Sequence, residues 1–125
     1  MLEGFVNDQG EPLVALALLS GGRAHSHRVV IDTGFNGALS LPERLAKKYG
    51  WEWVGYDSYE IATGDVVQEK VFLGKIRWFG RAQDIDAVAS HAEDILIGTK
   101  LLRHSKLLID FPKRKLVIEN VAPAT

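Results

Sequence analysis

The sequence predicts a mainly β chain, a small sandwich or barrel carrying one or two short helices. Three observations predict it. Turn signals cut the chain into many short pieces, the pieces are apolar runs rich in Val, Ile and Leu, and only one stretch has clear helical spacing.

The elements follow in order. Asn7-Asp8-Gln9-Gly10 separates Phe5-Val6 from the run Leu13–Leu19, and Ser20-Gly21-Gly22 separates that run from Arg23–Ile31. The last two segments read as a β-hairpin with a glycine turn. Leu41–Tyr49 is predicted helical. Pro42 suits a first-turn position, Glu43 favours the positive end, Lys47 and Lys48 the negative end, and Gly50 can cap it. Leu41, Leu45 and Tyr49 share one face. Tyr59–Thr63 and Val66–Leu73 form a second hairpin around Gly64-Asp65, and Lys75–Phe79 and Ile85–Ala89 read as further strands. Ile95-Leu96-Ile97 is wholly apolar, suited to a strand buried on both faces, and 98–103 forms a short helix after it. Lys106–Ile109 and Lys115–Ile118 flank Asp110-Phe111-Pro112-Lys113-Arg114 as a final hairpin.

The 125 residues suit one domain, spanning 1–125 with a core of about 12–118. A hydrophobic fraction of 46% with 25% charged residues is that of a globular chain, not a disordered one. A net charge of -1 gives no general attraction to nucleic acid or anionic membrane, so neither is expected as a partner. Absence of cysteine excludes a disulfide framework and a thiolate metal site, and fits a reducing compartment. The start Met1-Leu2-Glu3-Gly4 is unlike a secretory signal, and the longest apolar run, Leu13–Leu19, is far short of the roughly 20 residues that span a bilayer. A soluble, cytoplasmic protein is expected.

The chemistry-bearing feature is Val29-Val30-Ile31-Asp32-Thr33-Gly34. Three β-branched residues run directly into a carboxylate, which places the charge at the rim of a core. Thr33 can hydrogen-bond around that carboxylate, and Gly34 permits a sharp turn and close backbone approach. The bland reading is a strand followed by a turn that Asp32 caps. Composition alone yields Asp-Thr-Gly in a chain of this length with a probability on the order of 1%, so the rest of the chain has to decide.

Val30-Ile31-Asp32-Thr33-Gly34 resembles the active-site motif of retropepsin-like aspartic proteases. Ile95-Leu96-Ile97-Gly98 leading into Thr99-Lys100-Leu101-Leu102 resembles that family's second hallmark, and the hairpin 59–73 between them lies where such proteins carry their flap. More narrowly, Asp32-Thr33-Gly34-Phe35-Asn36-Gly37 with Leu39, Leu41 and Pro42 is similar to small stand-alone prokaryotic members. The resemblance implies a closed β-barrel of the acid-protease type, one domain per chain. It also implies catalytic roles for Asp32, Thr33 and Gly34. Substrate contacts would come from Phe35, Asn36, Ala62, Thr63, Gly64 and Asp65, with Ile97 and Gly98 supporting the site.

Aspartic peptidases need two carboxylates sharing a proton, one to activate water and one to protonate the carbonyl. This chain has a single Asp-Thr-Gly, and Asp110 is followed by Phe111-Pro112 instead of a glycine turn. The second carboxylate must then come from another copy, so a homodimer is expected, acting on a peptide or protein substrate without metal or organic cofactor. One departure stands out: the family usually carries a small residue and then an acid, Ser or Thr after the glycine, where this chain has Phe35 and Asn36. That departure motivates an alternative, a non-catalytic peptide-binding or scaffolding dimer of the same fold. A monomeric β-barrel binding module with an accidental Asp-Thr-Gly is the third reading.

Other features carry less. His25 and His27 alternate on one strand face but lack an acid or cysteine to complete a metal site, so an exposed face is expected. The stretch Asp84, Asp86, His91, Glu93, Asp94 fits no calcium-loop spacing. Lys113-Arg114-Lys115 reads as a soluble hairpin tip. Trp51, Trp53, Tyr56 and Trp78 are expected to pack the barrel rather than line a groove.

Overall fold

The computed structural model describes residues 1–121, so residues 122–125 of the expected domain lie outside the described residues. Ten strands and two short helices follow in chain order: β1 (Leu2–Val6), β2 (Pro12–Ser20), β3 (Arg23–Ile31), β4 (Leu39–Pro42), α1 (Glu43–Lys48), β5 (Glu52–Glu60), β6 (Val66–Trp78), β7 (Arg81–Ser90), β8 (Leu96–Ile97), α2 (Thr99–Leu102), β9 (Ser105–Asp110) and β10 (Lys115–Asn120). The mainly β expectation is met. No helix among the described residues is long and apolar enough to cross a membrane.

All ten strands belong to one sheet in the order β5-β6-β7-β4-β8-β3-β2-β1-β10-β9. A further pairing, Ala17↔Arg77 and Leu18↔Ile76, joins β2 to β6. It bends the sheet back into a partial ring through β2, β3, β8, β4, β7 and β6, and the expected barrel is seen to that extent. The inward face of this ring is the core. Leu18, Val29, Leu39, Leu41, Ile76 and Ile97 are all fully buried there.

Strand alternation explains much of it. From Phe72 to Trp78, β6 alternates buried and exposed residues, whereas its first half, from Val66, stays largely outside the core. Two turns have the left-handed backbone that suits the twist of a two-residue hairpin. Gly21-Gly22, with φ of 53° and 82°, was legible in sequence; Phe79-Gly80, with φ of 50° and 77°, was not, because phenylalanine rarely takes that conformation. The Phe79 ring packs edge-on against Trp78, 5.1 Å between centroids.

Three expectations change. The helix begins at Glu43, because Leu39–Pro42 pairs with β7 on one side and β8 on the other and is therefore strand. Leu41 is buried through that strand, while Leu45 and Tyr49 are buried as a helical face predicts. The two strands expected around Gly74 are one, β6, and Gly74 does not break it. A Cβ there would lie 2.7 Å from the Trp51 ring, so the glycine makes room for the indole. Finally, His25 and His27 do not form an exposed face. His25 stacks on Tyr49 at 4.4 Å, and His27 Nε2 lies 2.6 Å from the Tyr49 hydroxyl. Both histidines are half-buried.

Trp51 and Trp78 pack the core as expected, but Trp53 and Tyr56 are half or more exposed on β5. Among the described residues no group of three or more His, Asp or Glu is placed to hold a metal ion.

Leu18 sits at the β2–β6 closure, so Leu18→Ala should lower unfolding free energy by about 2–5 kcal/mol in a denaturant titration. The environment of His27 makes a second prediction. Burial, and then the charges of His25, Lys48 and Arg44, hold its pKa below the usual 6.5. The unfolded chain therefore binds that proton more readily than the native one. Stability from this site should be complete above about pH 6.5 and should decline as pH falls through 6.5 toward the lower native value. Replacing His27 by Gln should flatten this part of the stability–pH curve, measured by urea midpoints.

Candidate active site

β8 is only two residues long, yet it lies between two other strands. Val30 and Ile31 pair with Leu96 and Ile97 in parallel, and Leu39 and Ser40 pair with Ile97 and Leu96 antiparallel. The chain therefore leaves β3, crosses the end of β8 as loop 32–38, and returns as β4. Asp32 sits at the start of this crossing. Its N–H donates to the Ile97 carbonyl at 3.0 Å, which fixes the backbone to the end of β8.

Within the loop, Gly34 N–H donates to Asp32 Oδ1 at 2.9 Å, and Phe35 N–H donates to the Asp32 carbonyl at 3.1 Å. The carboxylate is half-buried, while Thr33 and Gly34 are exposed. Its second oxygen, Oδ2, makes no hydrogen bond among the described residues, and neither the Thr33 hydroxyl nor the Asn36 amide reaches it. One oxygen is held and the other is available.

Gly98 supports the loop from below. Its N–H donates to the Ala38 carbonyl at 3.1 Å. A Cβ at Gly98 would lie 2.3 Å from the Gly37 carbonyl oxygen and 2.4 Å from that of Phe35, distances backbone cannot accommodate. Its φ of -118° is ordinary extended backbone, so the glycine is required by close approach and not by conformation. The next two residues complete the strap. Thr99 N–H donates to the Phe35 carbonyl at 2.9 Å and Lys100 N–H to the Gly37 carbonyl at 3.2 Å. These N–H groups open helix α2 and have no partner inside it, so the loop serves as the helix's cap.

Phe35 has a structural place. Its ring lies over Gly37, where a Cβ would come within 2.5 Å of the ring tip, and it also meets Gly98. Asn36 is exposed. The structure thus brings Asp32, Thr33, Gly34, Phe35, Asn36, Ile97 and Gly98 into one unit.

The remaining expected residues, Ala62, Thr63, Gly64 and Asp65, form the tip of the β5–β6 hairpin. Ile61 N–H donates to the Asp65 carbonyl at 3.0 Å, Gly64 N–H donates to the Ile61 carbonyl at 2.9 Å, and Gly64 takes a φ of 87°. The tip is fully exposed, and no hydrogen bond links it to loop 32–38.

A cavity of about 380 Å³ lies between Gly37-Ala38 and β5, lined by Val54, Tyr56, Val71 and Val88 among others, with Asp86 and Lys100. None of these six was anticipated. Tyr56 was expected to pack internally, and the cavity forms only when β5 is placed beside β6 and β7, which no local sequence signal encodes.

This is the fold of the retropepsin-like aspartic proteases. It is matched by the crystal structure of a retropepsin-like aspartic protease from Rickettsia conorii at 19% identity and TM-score 0.65, covering 96% of this chain and 89% of that one. The solution structure of the simian foamy virus (mac) protease matches at 17% identity and TM-score 0.52, over 71% of this chain and 91% of that one. The retroviral protease-like domain of Ddi1 from Leishmania major matches at 15% identity and TM-score 0.50, over 87% and 90%. No family model and no curated protein matches the sequence. Identities this low establish the fold alone.

The Phe35–Gly37 contact makes a prediction about coupling. Gly37→Ala should destabilise the chain while Phe35 is present and cost much less in a Phe35→Ala background. The double-mutant cycle should return a coupling of about 0.5–3 kcal/mol in denaturant titrations.

Proposed function

We propose that this chain is an aspartic-type endopeptidase that works as a homodimer, each copy contributing Asp32. The observation that carries the reading is the state of that carboxylate. It is half-buried at a strand end, with one oxygen held by the Gly34 N–H, on a loop strapped beneath by Gly98, Thr99 and Lys100. The motif Asp32–Gly37 supports placing the chain with small stand-alone prokaryotic members of the family, and a cytoplasmic setting is part of the same proposal.

The chemistry needs two such carboxylates about 3 Å apart, where both cannot ionise together and one proton is shared. The charged member takes a proton from water as the water oxygen attacks the peptide carbonyl. The neutral member gives its proton to the carbonyl oxygen. Collapse of the tetrahedral species breaks the C–N bond: the proton gained from water goes to the leaving nitrogen, and a hydroxyl proton of the tetrahedral species returns to the other carboxylate, which restores the shared-proton pair. Thr33 and Gly34 shape the loop around the acid.

The substrate would lie extended above this floor, with the tip Ala62–Asp65 closing over it and pairing to its backbone. Asn36 offers an exposed amide to the substrate, Phe35 forms the base under it, and the cavity lined by Val54, Val71 and Val88 suits an apolar substrate side chain. No cofactor has a role in these steps.

One observation favours a second reading, a peptide-binding dimer without turnover: Asn36 makes no hydrogen bond that would hold the free Asp32 oxygen. The test is cleavage of an unfolded protein such as casein, read by mass spectrometry, with wild type against Asp32→Asn. Loss of roughly 10²–10⁴-fold in rate with the dimer intact supports the peptidase. Retained cleavage rules it out, and peptide binding without cleavage, indifferent to the substitution, establishes the second reading.

A further inference from the structure

Where the β6–β7 turn meets the end of α2 and the start of β9, a second cavity of about 720 Å³ opens. Its charged lining residues are Arg81, Lys100 and Arg103, with His104 beside them, and no Asp or Glu lines it among the described residues. Arg81 and Arg103 have no ion-pair partner among the described residues, and Lys100 reaches only Asp86, at 4.0 Å. The cavity beside the β2–β3 turn differs. There Arg23, Lys75 and Arg77 share the lining with Glu52 and Asp84, and Lys75 pairs with Asp84 at 3.7 Å. Like charges gathered without counter-charges repel one another, and an anionic ligand relieves that repulsion.

A second observation points to the same cavity. The indole N–H groups of Trp51 and Trp53 donate to the carbonyls of Leu19 and Gly55. That of Trp78 makes no hydrogen bond among the described residues, although the residue is only 8% exposed. No sealed side-chain nitrogen or oxygen among the described residues lacks a partner, so this N–H reaches open space. Trp78 lines the basic cavity, which makes its indole a free donor at the cavity wall. Phe79, half-buried and edge-on to that indole, and Leu101 complete an apolar side.

We propose that this cavity binds an organic phosphate, a phosphate group carried on a flat, largely apolar body of the kind a nucleotide has. The inference goes beyond the peptidase reading and does not rest on it. The walls assign the parts. Arg81 and Arg103 bring planar forks that match phosphate oxygens two at a time, and the Trp78 N–H adds a neutral donor. A phosphate monoester carries about -1.5 to -2 charges at pH 7, more than a single carboxylate, and a lining of cations without an acid suits the larger charge. Inorganic phosphate would fill little of this space, whose volume lies in the range of roughly 300–1,000 Å³ typical of small-molecule sites. The body of the ligand would extend along Trp78, Phe79 and Leu101.

The test titrates the full chain with adenosine monophosphate by calorimetry and follows the Trp78 indole N–H by nitrogen–proton correlation NMR. Loss of that signal in Trp78→Phe assigns it. Binding should move the Trp78 signal and leave that of Trp53, on β5, in place. Arg81→Gln and Arg103→Gln should each weaken binding about tenfold or more, and lysine at either position should restore only part of it. Both side chains are exposed, so their replacement leaves the core intact, which unchanged denaturant midpoints verify. Lys100 is left in place because its backbone straps loop 32–38. Arg23→Gln removes the same charge at the other cavity and should leave affinity unchanged. Adenosine, which lacks the phosphate, and inorganic phosphate, which lacks the body, should each bind at least about tenfold more weakly than the nucleotide.

An unmoved Trp78 signal at millimolar nucleotide overturns the proposal. So does an affinity indifferent to Arg81→Gln and Arg103→Gln, or one that Arg23→Gln lowers equally, which would be general attraction between charges. Inorganic phosphate binding as tightly as the nucleotide would make this a simple anion site, and adenosine binding as tightly would make it an apolar one. Either result also overturns it. None of these readouts depends on cleavage, so the site and the peptidase stand or fall separately.

Discussion

The site depends on one close approach, the passage of loop 32–38 over Gly98. Two carbonyl oxygens, those of Phe35 and Gly37, lie where any Cβ at Gly98 would be. That proximity lets the Thr99 and Lys100 N–H groups reach the same carbonyls. A helix of four residues has almost no stability of its own, so α2 persists because the loop satisfies its first donors and Leu101 and Leu102 are buried. The loop in turn keeps its shape because α2 is there. Asp32 is consequently positioned by mutual constraint between two pieces that could not stand alone, and its freedom is set by backbone geometry and not by side-chain packing.

That constraint gives the departure at position 35 a physical reading. A bulky residue beside an acid would obstruct it if the ring pointed toward the carboxylate. Here the ring is turned over Gly37 and against Gly98, two positions that lack a side chain. Phenylalanine and the two glycines form one volume unit: the ring occupies the space that the missing Cβ atoms leave. The run Phe35-Asn36-Gly37 is therefore self-consistent, with the large residue permitted by the glycine two positions later.

Fold class, the glycine hairpin after β2, the final hairpin and the carboxylate at the end of β3 were legible because each rests on local signals, namely period-two alternation, turn residues and a β-branched run ending in Asp32. Asp32, Thr33, Gly34, Ile97 and Gly98 do meet, though their meeting was inferred from resemblance and not from spacing. What stayed hidden is long-range. Leu39–Pro42 is a strand only because β7 and β8 flank it, overriding a helical pattern that includes Leu41. His25 and His27 looked like an exposed pair because nothing local reveals that Tyr49 lies across them. The Phe79-Gly80 turn was missed because its first residue breaks the usual turn chemistry, and the cavity beside β5 exists only after three strands are assembled.

The sheet divides the molecule into regions with different tasks. The partial ring joined at Leu18 and Ile76 encloses buried apolar side chains, and β3 and β8 deliver Asp32 to its rim. β6 leaves that ring at Phe72 and continues outward to Val66 as one strand, so the hairpin tip is an extension of a core element with few contacts of its own. A carboxylate held through backbone hydrogen bonds and a sparsely packed tip suit the opposite needs of the proposed peptidase, in which the acid would keep its geometry while a substrate entered beneath the tip. In that reading a single copy supplies one Asp-Thr-Gly carboxylate, and one acid cannot give up and retain its proton in the same step. For the proposed chemistry the incompleteness is chemical before it is structural: the second carboxylate has to come from outside this chain.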